Sequence, residues 1–402
     1  MKVHTGRPRI RIPGFRFGAS ACGIKASGRR DVAVIASDVA ATAVAAFTTN
    51  RVKAAPVLIG QARLRAGRVQ AVVVNSGNAN ALTGAAGLDA ARVMAQLAGH
   101  HLGIDERLVV PSSTGRIGVQ LPMRRVRRGI AEAVARLSAG GFHEALEGIM
   151  TTDAFPKFGI ESVRLGGRDV TIAALAKGAG MIAPNMATLL VYVLTDARVT
   201  RLALRRAFDA ALPETLNAIV VDGDMSTNDT VLVLANGVAG NPAVAPGTRD
   251  YAAFAAALQR LLAGIARLIV KDGEGATRVV EIAVRGARSA EDAARVADAI
   301  ARSPLCKTAF FGGDPYAGRV VCAAGYSGAV LDPNRLDVYL DDLQIVRRGV
   351  EVVRPVERRA SRIASRPEFR LTLDLHAGAG KALRLASDLT IDYVRFNSAY
   401  RT

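Results

Sequence analysis

Tryptophan is absent from this sequence of 402 residues, and phenylalanine and tyrosine hold the aromatic share to 5%. Reading single-stranded nucleic acid by stacking requires aromatics interleaved with basic residues, so that mode has little material here. Cysteine is scarce as well. Cys22, Cys306 and Cys322 are odd in number and far apart, which gives neither a disulfide framework nor zinc-ligand spacing; reduced, mostly structural thiols are expected. The five histidines, His4, His100, His101, His143 and His376, form no HExxH or related cluster, so no metal is expected. No N-terminal stretch has the make-up of a secretory signal, and no run approaches the ~18 apolar residues of a membrane helix. A soluble, cytoplasmic chain without a membrane partner is expected. A GxSxG elbow and a phosphate-binding P-loop are also missing.

Acidic residues are outnumbered 35 to 53 by basic ones, a formal charge of +18. Such a balance can attract nucleic acid, anionic membrane or small acidic substrates. The basic residues are scattered, with only short clusters such as Arg124, Arg125, Arg127 and Arg128, which is the texture of solvated faces. Nucleic acid is therefore not an expected partner, and small acidic substrates remain.

What is present is a chain 50% hydrophobic, long enough for a large core and two or three domains. Short apolar runs at 70–74 and 108–110, bounded by Asn, Gly, Ser and Pro, predict buried strands. Residues 86–98, 123–137 and 251–268 predict helices, and Ser289 begins another with a capping pattern. Towards the C-terminus 337–340, 344–346, 369–375 and 390–394 read as strands, while the arginine-rich 347–366 reads as a surface connection. The expected fold class is α/β, a mixed sandwich with a smaller C-terminal α/β domain over about 286–402.

The segment Lys177 to Leu190, KGAGMIAPNMATLL, carries the chemistry. Gly178, Gly180 and Ala183 match a loose GxGxxA dinucleotide fingerprint, but Pro184 interrupts the helix that the fingerprint needs and 189–194 reads as a strand. A glycine-rich loop and a Pro-Asn pair instead lead into a turn before Thr188. Its hydroxyl could attack the Ala187 carbonyl, shift the acyl group from nitrogen to oxygen and, after hydrolysis, leave Thr188 as a new N-terminus. The freed α-amine, with a reference pKa of roughly 7.7 to 8.0, suits it as the base for its own hydroxyl.

That segment resembles the signature of the ornithine acetyltransferase (glutamate N-acetyltransferase) family, whose members cleave themselves at an Ala-Thr bond. The likeness extends to GIKASGRRDVAVIASD from Gly23, TTNRVKAAPVL from Thr48, VVNSGNANALTG from Val73, VVPSSTGRIG from Val109, IMTTDAFPK from Ile149, VDGDMSTNDT from Val221, VKDGEGATR from Val270, KTAFFGGDPYAGR from Lys307 and the ending YVRFNSAYRT. It implies an N-terminal-nucleophile fold cut between Ala187 and Thr188 into fragments 1–187 and 188–402 that stay together as α2β2. It also implies acetyl transfer from N2-acetylornithine to glutamate by a ping-pong route through acetyl-Thr188, in arginine biosynthesis. Thr114 and Gly115 match the oxyanion-hole pair, and Thr152, Lys177, Thr188, Glu274, Asn397 and Thr402 the substrate-binding residues. The charges suit an amino acid, with Lys177 assigned to its carboxylate and Glu274 to a side-chain ammonium. No cofactor is implied, and acetyl-CoA stays open as a co-substrate.

Arg116 beside the oxyanion pair, Tyr316 after Pro315, and Leu82 depart from the family pattern, which bears on donor and acceptor preference. Two rival functions remain: a related aminopeptidase or amidohydrolase in which water takes the acyl group, and an inactive basic binding protein. Whether the Thr188 amine or another group is the working base also stays open.

Overall fold

The computed structural model describes residues 10–183, 189–352 and 356–399. The N-terminal part contributes β1 (Phe15–Ser20), β2 (Val32–Phe47), β3 (Arg68–Asn78), β4 (Val109–Arg116), β5 (Lys157–Leu165), β6 (Arg168–Lys177), β7 (Leu190–Thr195), β8 (Ile219–Val220) and β9 (Thr230–Ala235). Among these run the helices α1 (Ala55–Leu64), α2 (Gly84–Leu102), α3 (Met123–Ala135), α4 (Phe142–Ile149) and α5 (Arg201–Ala211). The first sheet has the order β4-β3-β2-β9-β7-β6-β5, with β1 also on β2. At 16 residues β2 is long enough to serve two neighbours on one side: its first part pairs with β1 and its last part with β9, across an irregularity between Ala36 and Ala41.

Every residue of β7 is buried, as expected of a strand covered on both faces. Alternation sends Val191 and Val193 into a core with Phe208, Phe254 and Leu258. It sends Leu190, Tyr192 and Leu194 to the opposite face, against Phe142 and Leu146. The strand that follows the candidate cleavage segment is thus locked into the middle of the sheet, parallel to β9 and antiparallel to β6.

Phe254 and Leu258 belong to α6 (Arg249–Lys271), which is apolar and long enough by composition to cross a membrane. Its apolar stripe, from Phe254 through Leu258, Leu262 and Ile265 to Ile269, is buried in the core. The helix begins on the Thr248 hydroxyl, which accepts the Tyr251 amide, and ends beside the cavity described below.

The rest of the chain adds β10 (Val279–Ala287), α7 (Ala290–Arg302), α8 (Pro304–Gly312), α9 (Gly318–Gly325), β11 (Asp337–Leu340), β12 (Leu343–Arg347), β13 (Val350–Glu351), α10 (Glu357–Ala364), β14 (Glu368–Asp374), β15 (Gly380–Ser387) and α11 (Ile391–Ala399). The second sheet has the order β13-β12-β11-β14-β10-β15-β8 and a core of its own beneath α7, α9 and α10. Because β8 comes from the first part of the chain and pairs with β15, the two sheets are stitched together. Gly286 lies inside β10. The structure is a mixed α/β architecture.

Two local expectations are corrected. Residues 390–394 are not a strand: Thr390 Oγ1 accepts the Tyr393 amide at 3.1 Å and donates to the Gly275 carbonyl at 2.7 Å, and α11 follows. A β-branched capping residue with an apolar Ile391 behind it mimics strand composition. Residues 347–366 are more than a surface connection, since β13 and α10 lie within them and Ala360, Ile363 and Ala364 are buried. The arginines occupy the outer face of an amphipathic helix.

Thr390→Val keeps the shape of the side chain and removes both bonds. We expect it to cost about 1 kcal/mol in urea unfolding and to speed hydrogen exchange across α11.

Candidate active site

At the ends of β3, β4 and β6 the first sheet opens into a cavity of about 220 Å³, closed on the other side by Glu274 and by Tyr393 and Asn397 of α11. Its wall includes Ala79, Thr114, Gly115, Thr152, Lys177 and Asn228.

Gly115 shows why the β4 end takes the shape it does. Its φ is +132°, and a Cβ there would lie 2.4 Å from the Gly77 carbonyl carbon and 2.5 Å from Asn78 N. Both the backbone conformation and the close approach exclude a side chain. The β3–β4 register slips at the same place, and the Asn228 amide bridges the gap by donating to Ala79 O at 2.6 Å and Ser113 O at 2.8 Å. Ser113 Oγ in turn bonds Asn75 Oδ1 at 2.6 Å. The strand end that presents Thr114 and Gly115 is fixed from two sides.

Beneath the cavity lies a buried ionic triad. Lys157, the first residue of β5, is 0% exposed; its ammonium reaches Asp153 Oδ1 at 2.6 Å and also bonds Asp272 Oδ2. The two carboxylates then collect backbone amides. Asp153 takes Thr151 N and Gly178 N, each at 2.8 Å, and Asp272 takes Ala154 N at 3.1 Å. One ammonium therefore ties together the 151–154 turn that bears Thr152, the loop after Lys177, and the end of α6 two residues before Glu274. Burial works against the Asp153 charge, but Lys177, Lys157 and the Thr151 amide outweigh it and hold the carboxyl down to about 2, from 3.8.

Lys177 closes β6 and is itself buried. Burial lowers its pKa, opposed by the carboxylates of Asp153, Glu274 and Asp229. Glu274 is set by its own amide, which donates to Ala179 O at 2.8 Å, and by Asn397 Nδ2 at 3.1 Å from Oε2. The carboxylate lies flat on Gly180, where any Cβ would come within 2.4 Å of it. A cation and an anion thus face one small space lined with threonine hydroxyls.

Both ends of the candidate cleavage segment are anchored. Before it, Asp222 accepts Met181 N at 2.5 Å and Ile182 N at 2.8 Å, and Ile182 O accepts Val221 N at 2.9 Å. Met181 is held at φ +60°, a conformation that costs a non-glycine residue of order 1 kcal/mol or more. After the segment, Leu189 N donates to Asp229 Oδ1 at 3.0 Å.

The sequence profile of the ArgJ family matches residues 16–402. The arginine biosynthesis bifunctional protein ArgJ of Geobacter sulfurreducens is 49% identical over 98% of this chain and 100% of its own length. That of Symbiobacterium thermophilum is 50% identical over 98% of each. The chain belongs to the ArgJ family. A crystal structure of the arginine biosynthesis bifunctional protein ArgJ of Bacillus halodurans is also similar, with 37% identity and a TM-score of 0.50 over 52% of this chain and 98% of that one.

Of the residues expected to form the site of this ArgJ family member, Thr114, Gly115, Thr152, Lys177, Glu274 and Asn397 all line the one cavity. Ala187, Thr188 and Thr402 lie outside the described residues. Departures from the family pattern stay off the cavity wall: Leu82 and Tyr316 are exposed, and the Arg116 carbonyl accepts Ala79 N at 2.9 Å. Residues given no role by the sequence reading also belong here. Asp222, Ser226, Thr227 and Asn228 stand in the VDGDMSTNDT block, and Tyr393 in the C-terminal block. The likeness of these blocks to the family marked the segments in the sequence without giving these residues a role. Burial, aided by Asp222, Asp224 and Glu274, pushes the Tyr393 phenol upward.

Gly115→Ala is expected to reduce turnover by 10²-fold or more, about 2.7 kcal/mol, while the protein remains folded by circular dichroism. The Asp153 carboxyl is lower in the folded state than unfolded, so its contribution to stability is complete above about pH 4 and is lost as pH falls through about 2. Acid unfolding of Asp153→Asn, compared with wild type, should show a shallower decline across that window.

Proposed function

We propose that this chain transfers acetyl from N2-acetylornithine to glutamate, as a step of arginine biosynthesis, after cutting itself between Ala187 and Thr188. The observation that carries the reading is convergence. Six residues drawn from five separate stretches of sequence meet around one cavity, and the two anchored ends of the 184–188 segment flank it. The Bacillus halodurans chain is covered over 98% of its length by 52% of this one, the proportion that a cut near the middle would give.

In self-cleavage the Thr188 hydroxyl oxygen bonds to the Ala187 carbonyl carbon, the C–N bond breaks, and the nitrogen takes up the hydroxyl proton and becomes a free α-amine. Water then hydrolyses the ester, which releases the Ala187 carboxylate and restores the Thr188 hydroxyl. In transfer, that amine takes the hydroxyl proton as Thr188 Oγ attacks the acetyl carbonyl. Thr114 and Gly115 face the developing oxyanion, and ornithine departs with the proton on its α-nitrogen. Glutamate enters the same space and reverses these steps, so a single small cavity serves donor and acceptor in turn. Lys177 pairs with the α-carboxylate of each, and Glu274 with the ornithine side-chain ammonium. Acetyl-CoA is a second acetyl donor in this reading. The cleaved fragments remain together as α2β2 in the cytoplasm.

Intact masses of denatured wild type and Thr188→Ala test the reading. Wild type should give two fragments split between Ala187 and Thr188 and the variant one uncut chain; an uncut wild type would overturn it. Acetylglutamate should then form in place of free acetate, and acetate as the main product would favour a hydrolase. Lys177→Met should raise KM for acetylornithine about tenfold, one lost charge-assisted contact, with self-cleavage intact.

A further inference from the structure

The VDGDMSTNDT block holds Asn228 and Asp229, neighbours at the entrance to β9, and the catalytic steps above give Asp229 no part beyond anchoring Leu189. Its side chain is fully buried, and the carboxyl oxygen Oδ1 accepts Leu189 N at 3.0 Å. We infer that the Asn228–Asp229 pair is the device that sets the nucleophile against the oxyanion hole, with Asp229 positioning Thr188 and Asn228 positioning Thr114 and Gly115. The inference rests on Thr188 being the nucleophile.

The argument for Asp229 begins with the planarity of the peptide unit. The Cα of residue 188 lies in one plane with the carbonyl of 188 and the N–H of Leu189. Fixing that N–H therefore restrains the peptide plane that joins residue 188 to Leu189. Leu189 O is held as well, by Thr230 N at 3.1 Å, and Leu190 is in register with both Lys177 and Thr230. Once the bond before Thr188 is cut, no covalent link remains on its amino side. Its position then depends on Leu189 and what Leu189 is bonded to.

Asn228 does the complementary work. Its amide holds Ala79 O and Ser113 O, and Ser113 directly precedes the oxyanion pair. The two neighbouring side chains bond different elements, Asn228 the ends of β3 and β4 and Asp229 the residue just before β7, so one dipeptide grips both sides. The dipeptide itself is fastened: Asp229 O accepts Thr48 N at 3.1 Å, and Thr230 pairs with Phe47.

For Asp229 the requirement is an acceptor oxygen at fixed distance, not a negative charge. Burial pushes its carboxyl well above the ordinary carboxylate range, against the opposing pull of the Leu189 amide. Asparagine offers an uncharged oxygen of the same reach, so it should substitute.

The test compares wild type, Thr188→Ala, Asp229→Asn and Asp229→Ala for the rate of self-cleavage, for kcat and KM of acetyl transfer, and for hydrogen exchange of the peptide containing Leu189. Asp229→Ala should slow cleavage and lower kcat about 100-fold, the effect of misplacing a reacting group by roughly 1 Å. KM should change less than about threefold, because the substrate contacts are untouched, and Leu189 should exchange faster. Asp229→Asn should restore each to within about fivefold of wild type. Wild-type rates in Asp229→Ala would overturn the proposal. So would an Asp229→Asn as slow as Asp229→Ala, which would assign the carboxyl to proton transfer. Should Asp229→Ala fail to fold, Asp229→Asn with protected Leu189 and intact rates supports the proposal, and its loss of rate overturns it. An uncut wild type, or cleavage in Thr188→Ala, counts instead against Thr188 as the nucleophile.

Discussion

The Lys157 ammonium is the interaction on which the site depends. A charge taken out of water is costly unless it is paired and hydrogen-bonded, and here the pairing is supplied by Asp153 and Asp272, from segments 115 or more residues apart. Each carboxylate spends its remaining capacity on backbone amides, at Thr151, Gly178 and Ala154. The triad is thus less a source of stability than a fixed point. It sets where the Thr152 turn, the loop after Lys177 and the approach to Glu274 stand relative to one another. Lys177 then occupies a field already determined by Asp153 and Lys157, with Glu274 and Asp229 as its further carboxylate neighbours.

Around that fixed point the site is built from backbone as much as from side chains. Gly115 and Gly180 are sites where any Cβ would collide, the first with Gly77 and the second with the Glu274 carboxylate. Asp222 and Asp229 hold amides on either side of residues 184–188. Strain is stored at Met181, just before those residues, and the fully buried β7 follows them.

Much of this was legible in the residues. A short apolar run gave β3, strand-like segments gave β11 and β14, helical composition gave α2 and α3 and helical spacing α6, and the Ser289 capping pattern is realised in a hydroxyl that accepts the Asp292 amide at 3.1 Å. The GAG loop before an apolar strand gave the place where the chain bends. Local rules failed at 390–394, where a capping threonine beside isoleucine has the composition of a strand, and at α10, whose arginine-rich face hid a buried stripe.

By itself the sequence determined the elements, the family motifs and the identity of the charged and glycine residues at the cavity, because propensity, periodicity and motif spacing are properties of neighbouring residues. Only the tertiary structure decided which of them meet. Lys157 and Asp272 acquire a role because β5 and the end of α6 pack together, and Asn228 because the segment leading into β9 meets the opened end of β3 and β4. Buried polar groups take whatever partners the closed fold brings within about 3 Å, and no local pattern encodes that distance.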